Sequence, residues 1–168
     1  MTGVRTWLAV GASVLTLAGA GGAARASAVS DLQRAAAAYR EQLKADPDRP
    51  DLRAQLGETL ESLGDSAGAM AEYDRAIHGP GDSQRALVDR GQLLVRQGRF
   101  DEGRDDFNRA LSKNPRDVDA LAARGHSWVA QGKSKKARAA LADFNAALAI
   151  QPNSGVALNA RGDFYLAE

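Results

Sequence analysis

Four glycines recur along this chain of 168 residues at a nearly constant spacing. The first three are 34 residues apart, and the fourth follows after a further 37. They are Gly57, Gly91, Gly125 and Gly162. Arginine precedes each of the last three, at Arg90, Arg124 and Arg161. A period of this length is the signature of a chain built from copies of one supersecondary unit, each of which buries its apolar face against the next.

Three complete copies can be aligned on these glycines, and half a copy lies on either side of them. The complete copies are residues 50–83, 84–117 and 118–154, and the halves are residues 35–49 and 155–168. Over residues 31–168 the pattern resembles the tetratricopeptide repeat family. The resemblance implies an all-α fold: a right-handed superhelix of stacked antiparallel helix pairs, with about three full repeats and half a repeat at each end.

The aligned units predict where each helix begins. We expect first helices to start near Asp51, Arg85, Val118 and Gly155, and second helices near Asp31, Ser66, Phe100 and Ser134, within about 2–4 residues. The recurring glycines are expected where the two helices of a unit cross most closely. Large side chains should fill the space around the crossings: Leu60, Leu94, Trp128 and Tyr165 on first helices, and Tyr39, Tyr73, Phe107 and Phe144 on second helices. The third unit has three extra residues, which predicts a second helix longer by one turn.

Composition narrows the function classes. Hydrophobic residues make up 44% of the chain but aromatic residues only 5%, which favours closely packed helices over a sandwich or barrel. The balance of 22 basic and 21 acidic residues gives no general field for nucleic acid. There is no cysteine, and the two histidines have no metal-ligand spacing to acidic residues. No nucleotide-binding or nucleophile motif is present, so we predict no enzyme activity, no cofactor and no metal.

The first 28 residues have the pattern of a cleaved signal peptide. Arg5 precedes an apolar run, and the small-x-small triplets at 24–26 and 26–28 fit the cleavage rule. An uncleaved anchor is the alternative, but the run falls short of the roughly 20 apolar residues of a spanning helix. We therefore predict an exported protein, periplasmic or secreted, whose domain is residues 29–168 and which has no stable membrane span after cleavage.

The arginine before each glycine is predicted to pair with an acidic residue on the second helix of its own unit. The pairs are Arg90 with Asp106 and Arg124 with Asp143, and the alternative is that all four are simply solvated. Arg161 also begins an Arg-Gly-Asp tripeptide, the sequence that adhesion receptors read on loops. Because Arg161 repeats a helical position, we assign that tripeptide a structural role and no adhesion role.

The resemblance implies that first helices line a concave groove for a peptide or a partner protein. The strongest candidates for this groove are Glu58, Arg85, Asp89, Gln92, Arg96, His126, Asn159 and Asp163. Further inward positions are Asp51, Ala54, Gln55, Glu61, Val88, Val95, Asp119, Ala122, Ala123, Val129, Ala130, Val156 and Ala160. The alternative is a groove without a peptide ligand, which is only the inner wall of a scaffold.

One branch of the family clamps a terminal carboxylate with lysine and asparagine on the first helix. Ala54 and Glu58 occupy those positions here, so the clamp is absent. A basic run, Lys133, Lys135, Lys136 and Arg138, is interpreted as a solvated helix start, with an anionic partner as the alternative.

The last helix predicts a second kind of contact. We expect Leu158 and Tyr165 to pack back on the third unit, which would leave Phe164 and Leu166 exposed. These two residues could then contact a second copy of the chain or another protein. The alternatives are a chain cut from a longer array and a helix rotated to bury both residues. A homo-oligomer through this helix, or a structural subunit of a cell-envelope complex, is thus the alternative function.

Overall fold

The computed structural model describes the backbone of residues 5–132 and 137–167, and the side chains of residues 24–132 and 137–166. Within these ranges the chain forms eight α-helices and no β-strand. The helices are α1 (Arg5–Ala45), α2 (Pro50–Ser62), α3 (Ser66–His78), α4 (Gln84–Arg96), α5 (Phe100–Lys113), α6 (Val118–Ala130), α7 (Ala137–Ile150) and α8 (Gly155–Ala167). The predicted all-α solenoid is confirmed.

Six of the eight predicted helix starts are confirmed to within one residue. The predicted start of the first second helix, near Asp31, is wrong, because α1 already begins at Arg5. No proline occurs before Pro47, and the alanine-rich sequence upstream of Asp31 favours continuation of the helix. The predicted start at Ser134 lies outside the described residues, and so does the test of the extra turn in α7.

Each first helix turns into its second helix through a glycine in the left-handed region. Gly64 has φ +84° and Gly98 has φ +78°, a conformation that other residues adopt only with strain. Asp65 then caps α3, because its Oδ1 accepts a hydrogen bond from the backbone N–H of Gly68 at 2.8 Å. This turn brings the second helix back antiparallel to the first.

An aromatic ring of the second helix packs directly on the recurring glycine of the first helix. A β-carbon added to Gly125 would lie 2.4 Å from Cε1 of Phe144, and one added to Gly91 would lie 2.6 Å from Cε1 of Phe107. Gly57 has the same relation to Tyr73. The predicted close crossing is therefore confirmed in three units, and only glycine fits at these positions without a shift of the ring.

The arginines that precede Gly91 and Gly125 each join three helices. Arg90 of α4 donates from Nε and Nη2 to the carboxylate of Asp106 on α5, and from Nη1 to Asp74 on the preceding α3. Arg124 of α6 repeats this pattern, with Asp143 on α7 and Asn108 on α5. The predicted arginine–aspartate pairs are confirmed, and each also links its unit to the one before it.

The first helices form the inner layer of the solenoid. α2 contacts α4, α4 contacts α6, and α6 contacts α8. The described second helices α3, α5 and α7 have no such series of mutual contacts and mainly contact first helices. The inner layer is therefore the more tightly stacked one, and it places the side chains of α4, α6 and α8 around a shared surface.

The predicted orientation of α8 is wrong. Phe164 is buried at 5% exposure beside Phe144, Ala140 and Ala160, whereas Tyr165 is 63% exposed and Leu158 is 43% exposed. Leu158 and Tyr165 occupy the positions that, in a complete unit, face the unit's own second helix, and no described residue covers them. Phe164 takes the position that faces the preceding unit. The predicted exposure of Leu166 is correct at 88%.

Candidate binding groove

The inner surface of α4, α6 and α8 encloses a cavity of about 520 Å³. Its apolar lining consists of small or branched side chains and one ring: Val95, Phe107, Ala122, Ala123, Val156 and Ala160. Alanine at three of these positions leaves the space open, because a larger residue would fill it. Polar residues surround this lining: Gln92, Arg96, Asp119, His126, Asn159 and Asp163.

Five of the eight predicted groove residues thus line one cavity. They are Gln92, Arg96, His126, Asn159 and Asp163. Phe107 was not predicted, because it lies on a second helix and its ring reaches the cavity past Gly91. The sequence feature that could have predicted it is Gly91, because a glycine without a side chain lets the ring pass between the first-helix layer and the second-helix layer.

A second cavity of about 400 Å³ adjoins the first and shares Gln92 and Asp119 with it. Its lining also includes two predicted residues, Arg85 and Asp89. The remaining residues are Asp82, Gln84, Val88 and Asp117. Asp82 and Asp117 precede α4 and α6, and a search confined to helix faces does not find them. The shared residues make the two cavities one continuous groove.

The two arginines of the groove are already paired with glutamates of α2. Arg85 donates to Glu58, and Arg96 donates to Glu61. Glu61 also accepts a hydrogen bond from the Tyr73 hydroxyl at 2.7 Å. Glu58, the last of the eight predicted groove residues, lines neither cavity and instead accepts a hydrogen bond from Arg85. These contacts fix α4 against α2 and neutralise most of the positive charge in the groove.

Asp89 is the most perturbed carboxyl group of the groove. Its Oδ2 atom is buried and accepts no hydrogen bond from any described residue. The Nε atom of Arg85 lies 3.5 Å from it, an ion-pair distance without hydrogen-bond geometry. Burial, followed by the nearby charge of Glu58, raises the pKa of Asp89 to about 7. Asp89 therefore changes charge close to neutral pH.

Two other carboxylates of the groove have no partner among the described residues. Asp119 lies at the junction of the two cavities, and Asp163 lies at the α8 side of the larger one. Neither makes a hydrogen bond or an ion pair with the described chain, and both are exposed. The charge that remains free in the groove is therefore negative.

The described residues offer little for other kinds of site. No group of three or more His, Asp or Glu side chains among them could hold a metal ion. No helix in the described ranges is both long enough and apolar enough to span a membrane. Of the predicted basic run, Lys133, Lys135 and Lys136 lie outside the described residues, and Arg138 is exposed.

The sequence profile of the tetratricopeptide repeat family matches residues 22–85 and 88–155, which is most of the chain. Among curated proteins, the chain is 30% identical over 88 residues to the human (Homo sapiens) DnaJ homolog subfamily C member 3. That match covers 52% of this chain and 18% of the human protein, so the chain spans less than a fifth of this relative.

Two solved structures with similar folds are of proteins that have a peptide-binding site or a bound peptide. YrrB, a TPR protein with an unusual peptide-binding site, is 25% identical, with a TM-score of 0.65, and the match covers 79% of this chain and 67% of YrrB. The first TPR of Spaghetti, bound to the HSP90 peptide SRMEEVD, is 20% identical, with a TM-score of 0.64 and coverage of 71% and 94%. The second likeness concerns the fold alone.

Proposed function

The chain belongs to the tetratricopeptide repeat family, and from this we infer that it is a protein-interaction module that binds a peptide segment of a partner in the groove of α4, α6 and α8. We further propose that it is exported, because its first 28 residues have the pattern of a cleaved signal peptide. Members of this family are generally non-enzymatic interaction modules, which agrees with the absence of a catalytic motif in the sequence.

The observation that carries the proposal is the continuous groove with an apolar floor and a polar rim. Peptide sites combine pockets for apolar side chains with polar groups that fix the backbone and the register. Here the floor includes Val95, Ala122 and Ala123, and the rim includes Gln92 and Asn159, whose amides can both donate and accept hydrogen bonds. Peptide sites described for proteins of similar fold support the same use.

Peptide selection with a matched pair of variants tests the proposal. A displayed library of randomised linear peptides is selected on the chain, and each enriched peptide is measured against Ala123→Arg and Ala146→Arg. Ala123 lines the groove, whereas Ala146 is exposed on the outer helix α7. We expect Ala123→Arg to weaken binding at least tenfold and Ala146→Arg to leave it unchanged. If no enriched peptide is sensitive to Ala123→Arg, groove binding is wrong.

The second candidate function is assembly through the outward face of α8. Leu158, Tyr165 and Leu166 are exposed on this face, and an added β-carbon on Gly162 would touch nothing within 4 Å. In complete units an aromatic ring of the second helix packs on the equivalent glycine. The surface around Gly162 is therefore a helix-packing surface that no described residue covers. The helix that packs there would come from a second copy of the chain.

Light scattering on residues 29–168 tests this assembly. Self-association should be lost in Tyr165→Ser and retained in Tyr39→Ser, a tyrosine on the opposite end of the solenoid. Phe164 is unsuitable for the test, because it is buried in the contact of α8 with α7. A monomer at all concentrations would exclude self-assembly through α8.

A further inference from the structure

The unpaired charge among the described groove residues is negative, although the groove contains two arginines. Arg85 and Arg96 are occupied by Glu58 and Glu61, so neither guanidinium is free for a ligand carboxylate. The side chains of Asp119 and Asp163 have no partner among the described residues, and Asp89 has one buried oxygen to which no described residue donates a hydrogen bond. An anionic ligand would meet these carboxylates, and no arginine among the described groove residues is free to offset the repulsion.

The apolar and acidic parts of the groove lie next to each other. The larger cavity has the apolar floor, with Asp119 and Asp163 on its rim. The smaller cavity, which begins at Asp119, contains Asp82, Asp89 and Asp117 as well, and Arg85 is the one basic residue among the described residues that line it. A ligand that fills both cavities must therefore place an apolar group in one and a cation in the other.

We propose that the ligand of this groove is a basic peptide segment, with a large apolar side chain in the cavity lined by Val95, Ala122 and Ala123 and a lysine or arginine side chain beside Asp119. This inference rests on the proposed function and specifies the chemistry of the partner. Burial of the apolar side chain supplies affinity, because apolar surface is removed from water. The cation supplies specificity and faster association. A volume of about 520 Å³ accommodates one leucine-sized or aromatic side chain together with the adjacent backbone.

The composition of the selected peptides is the first test. Peptides enriched from the randomised library, and sensitive to Ala123→Arg, should carry lysine or arginine next to a large apolar residue. Replacement of that cation by glutamate in a synthetic copy should abolish measurable binding by fluorescence polarisation. Replacement of the apolar residue by serine should do the same.

Neutralisation of single carboxylates is the second test. Asp119→Asn and Asp163→Asn should each weaken the best basic peptide about two- to fivefold, since both positions are exposed to solvent. Asp105→Asn is the matched control, because Asp105 is an exposed carboxylate of α5 that lies outside the groove. A rise in salt from about 0.1 M to about 1 M, which shortens the Debye length from about 10 Å to about 3 Å, should weaken the wild-type complex more than the Asp119→Asn complex.

The possible outcomes separate the two proposals. Groove-bound peptides that are acidic or uncharged, or that bind Asp119→Asn and Asp163→Asn as tightly as the wild type, overturn the basic-peptide inference and leave groove binding intact. A selection with no peptide sensitive to Ala123→Arg overturns both. Circular dichroism of each variant establishes that the helices are retained.

Discussion

Arg90 and Asp106 form a two-point ion pair between the helices of one unit, from Nε to Oδ2 at 2.8 Å and from Nη2 to Oδ1 at 2.7 Å. The Asp106 side chain is only 3% exposed, and its two hydrogen bonds from Arg90 are its closest contacts with a cation, since Arg109 lies farther away at 3.6 Å. The hydrogen bonds to Asp106 raise the pKa of Arg90 above its ordinary value, which keeps the guanidinium charged at all accessible pH. The same geometry recurs with Arg124 and Asp143.

The first prediction concerns this pair. Arg90→Met should lower the free energy of unfolding by about 3 kcal/mol, because it leaves a buried carboxylate without its bidentate partner. Arg161→Met is the control: among the described residues, the Arg161 side chain donates a hydrogen bond to Asn145 alone, at 3.3 Å, and the effect should stay within about 0.5 kcal/mol. Urea denaturation measures both. Equal losses in the two variants would contradict the assigned role of Asp106.

The second prediction concerns two equivalent glycines with opposite surroundings. Gly125→Ala should destabilise the protein by about 1–3 kcal/mol, because its β-carbon would overlap the ring of Phe144. Gly162→Ala should instead stabilise it by up to about 1 kcal/mol, because the added carbon meets open space and alanine favours the helix. Thermal unfolding compares them, and a higher melting temperature for Gly125→Ala would refute the ring-on-glycine contact.

The third prediction concerns pH. Because burial raises the pKa of Asp89 from 3.8 to about 7, the folded state holds this proton more tightly than the unfolded state does. The contribution of Asp89 to stability must therefore decline as the pH rises from about 4 to about 7, and stay level above that. The charges facing Asp89 are Glu58 and Glu61 of α2 and Arg85 of α4.

Asp89→Asn isolates this effect. The variant should gain stability relative to the wild type as the pH rises through that window, by on the order of 4 kcal/mol in total. Asp105→Asn, which removes an exposed carboxylate of α5 outside the groove, is the matched control. A stability difference between wild type and Asp89→Asn that is constant from pH 4 to 8 would show that Asp89 is not perturbed in the folded protein.

The fourth prediction concerns export. The exported protein should lack its first 26–28 residues, and intact-mass measurement of the secreted or periplasmic form decides this. Residues 24–30 are all exposed, and the first buried side chain among those described is Ala36, so cleavage after Ala28 leaves the described core unchanged. An exported form that retains Met1 would contradict cleavage and favour an anchor.

Positions that repeat were predictable from the sequence. The ring of Phe144 on Gly125 could be read from the two earlier units, and the pairing of Arg124 with Asp143 from the second unit, although the third unit carries three extra residues. Where two units carry the same residue type at an aligned position, the contact in one unit predicts the contact in the other. The inward positions of the groove followed from the same alignment.

Other positions were not predicted correctly. Phe164 takes the position that faces the preceding unit, but its exposure was expected from the helix pattern of α8 alone, which is compatible with either face. The start of α1 depends on how far a helix continues without a proline or a packing partner. Asp82 and Asp117 reach the groove from turns, whose course depends on the crossing of two helices and not on helical periodicity.

The arginines that join three helices also determine how the solenoid comes apart. Stability in such an array is set by the coupling between neighbouring units as much as by each unit itself. Arg90 and Arg124 each tie their unit to the one before, so opening the middle of the array disrupts two units at once. Among the described residues, Arg161 of α8 has only the Asn145 side chain as a hydrogen-bond partner, so α8 lacks the ion pairs that Arg90 and Arg124 make. We therefore expect fraying to begin at α8, and hydrogen exchange to slow from that end toward α4.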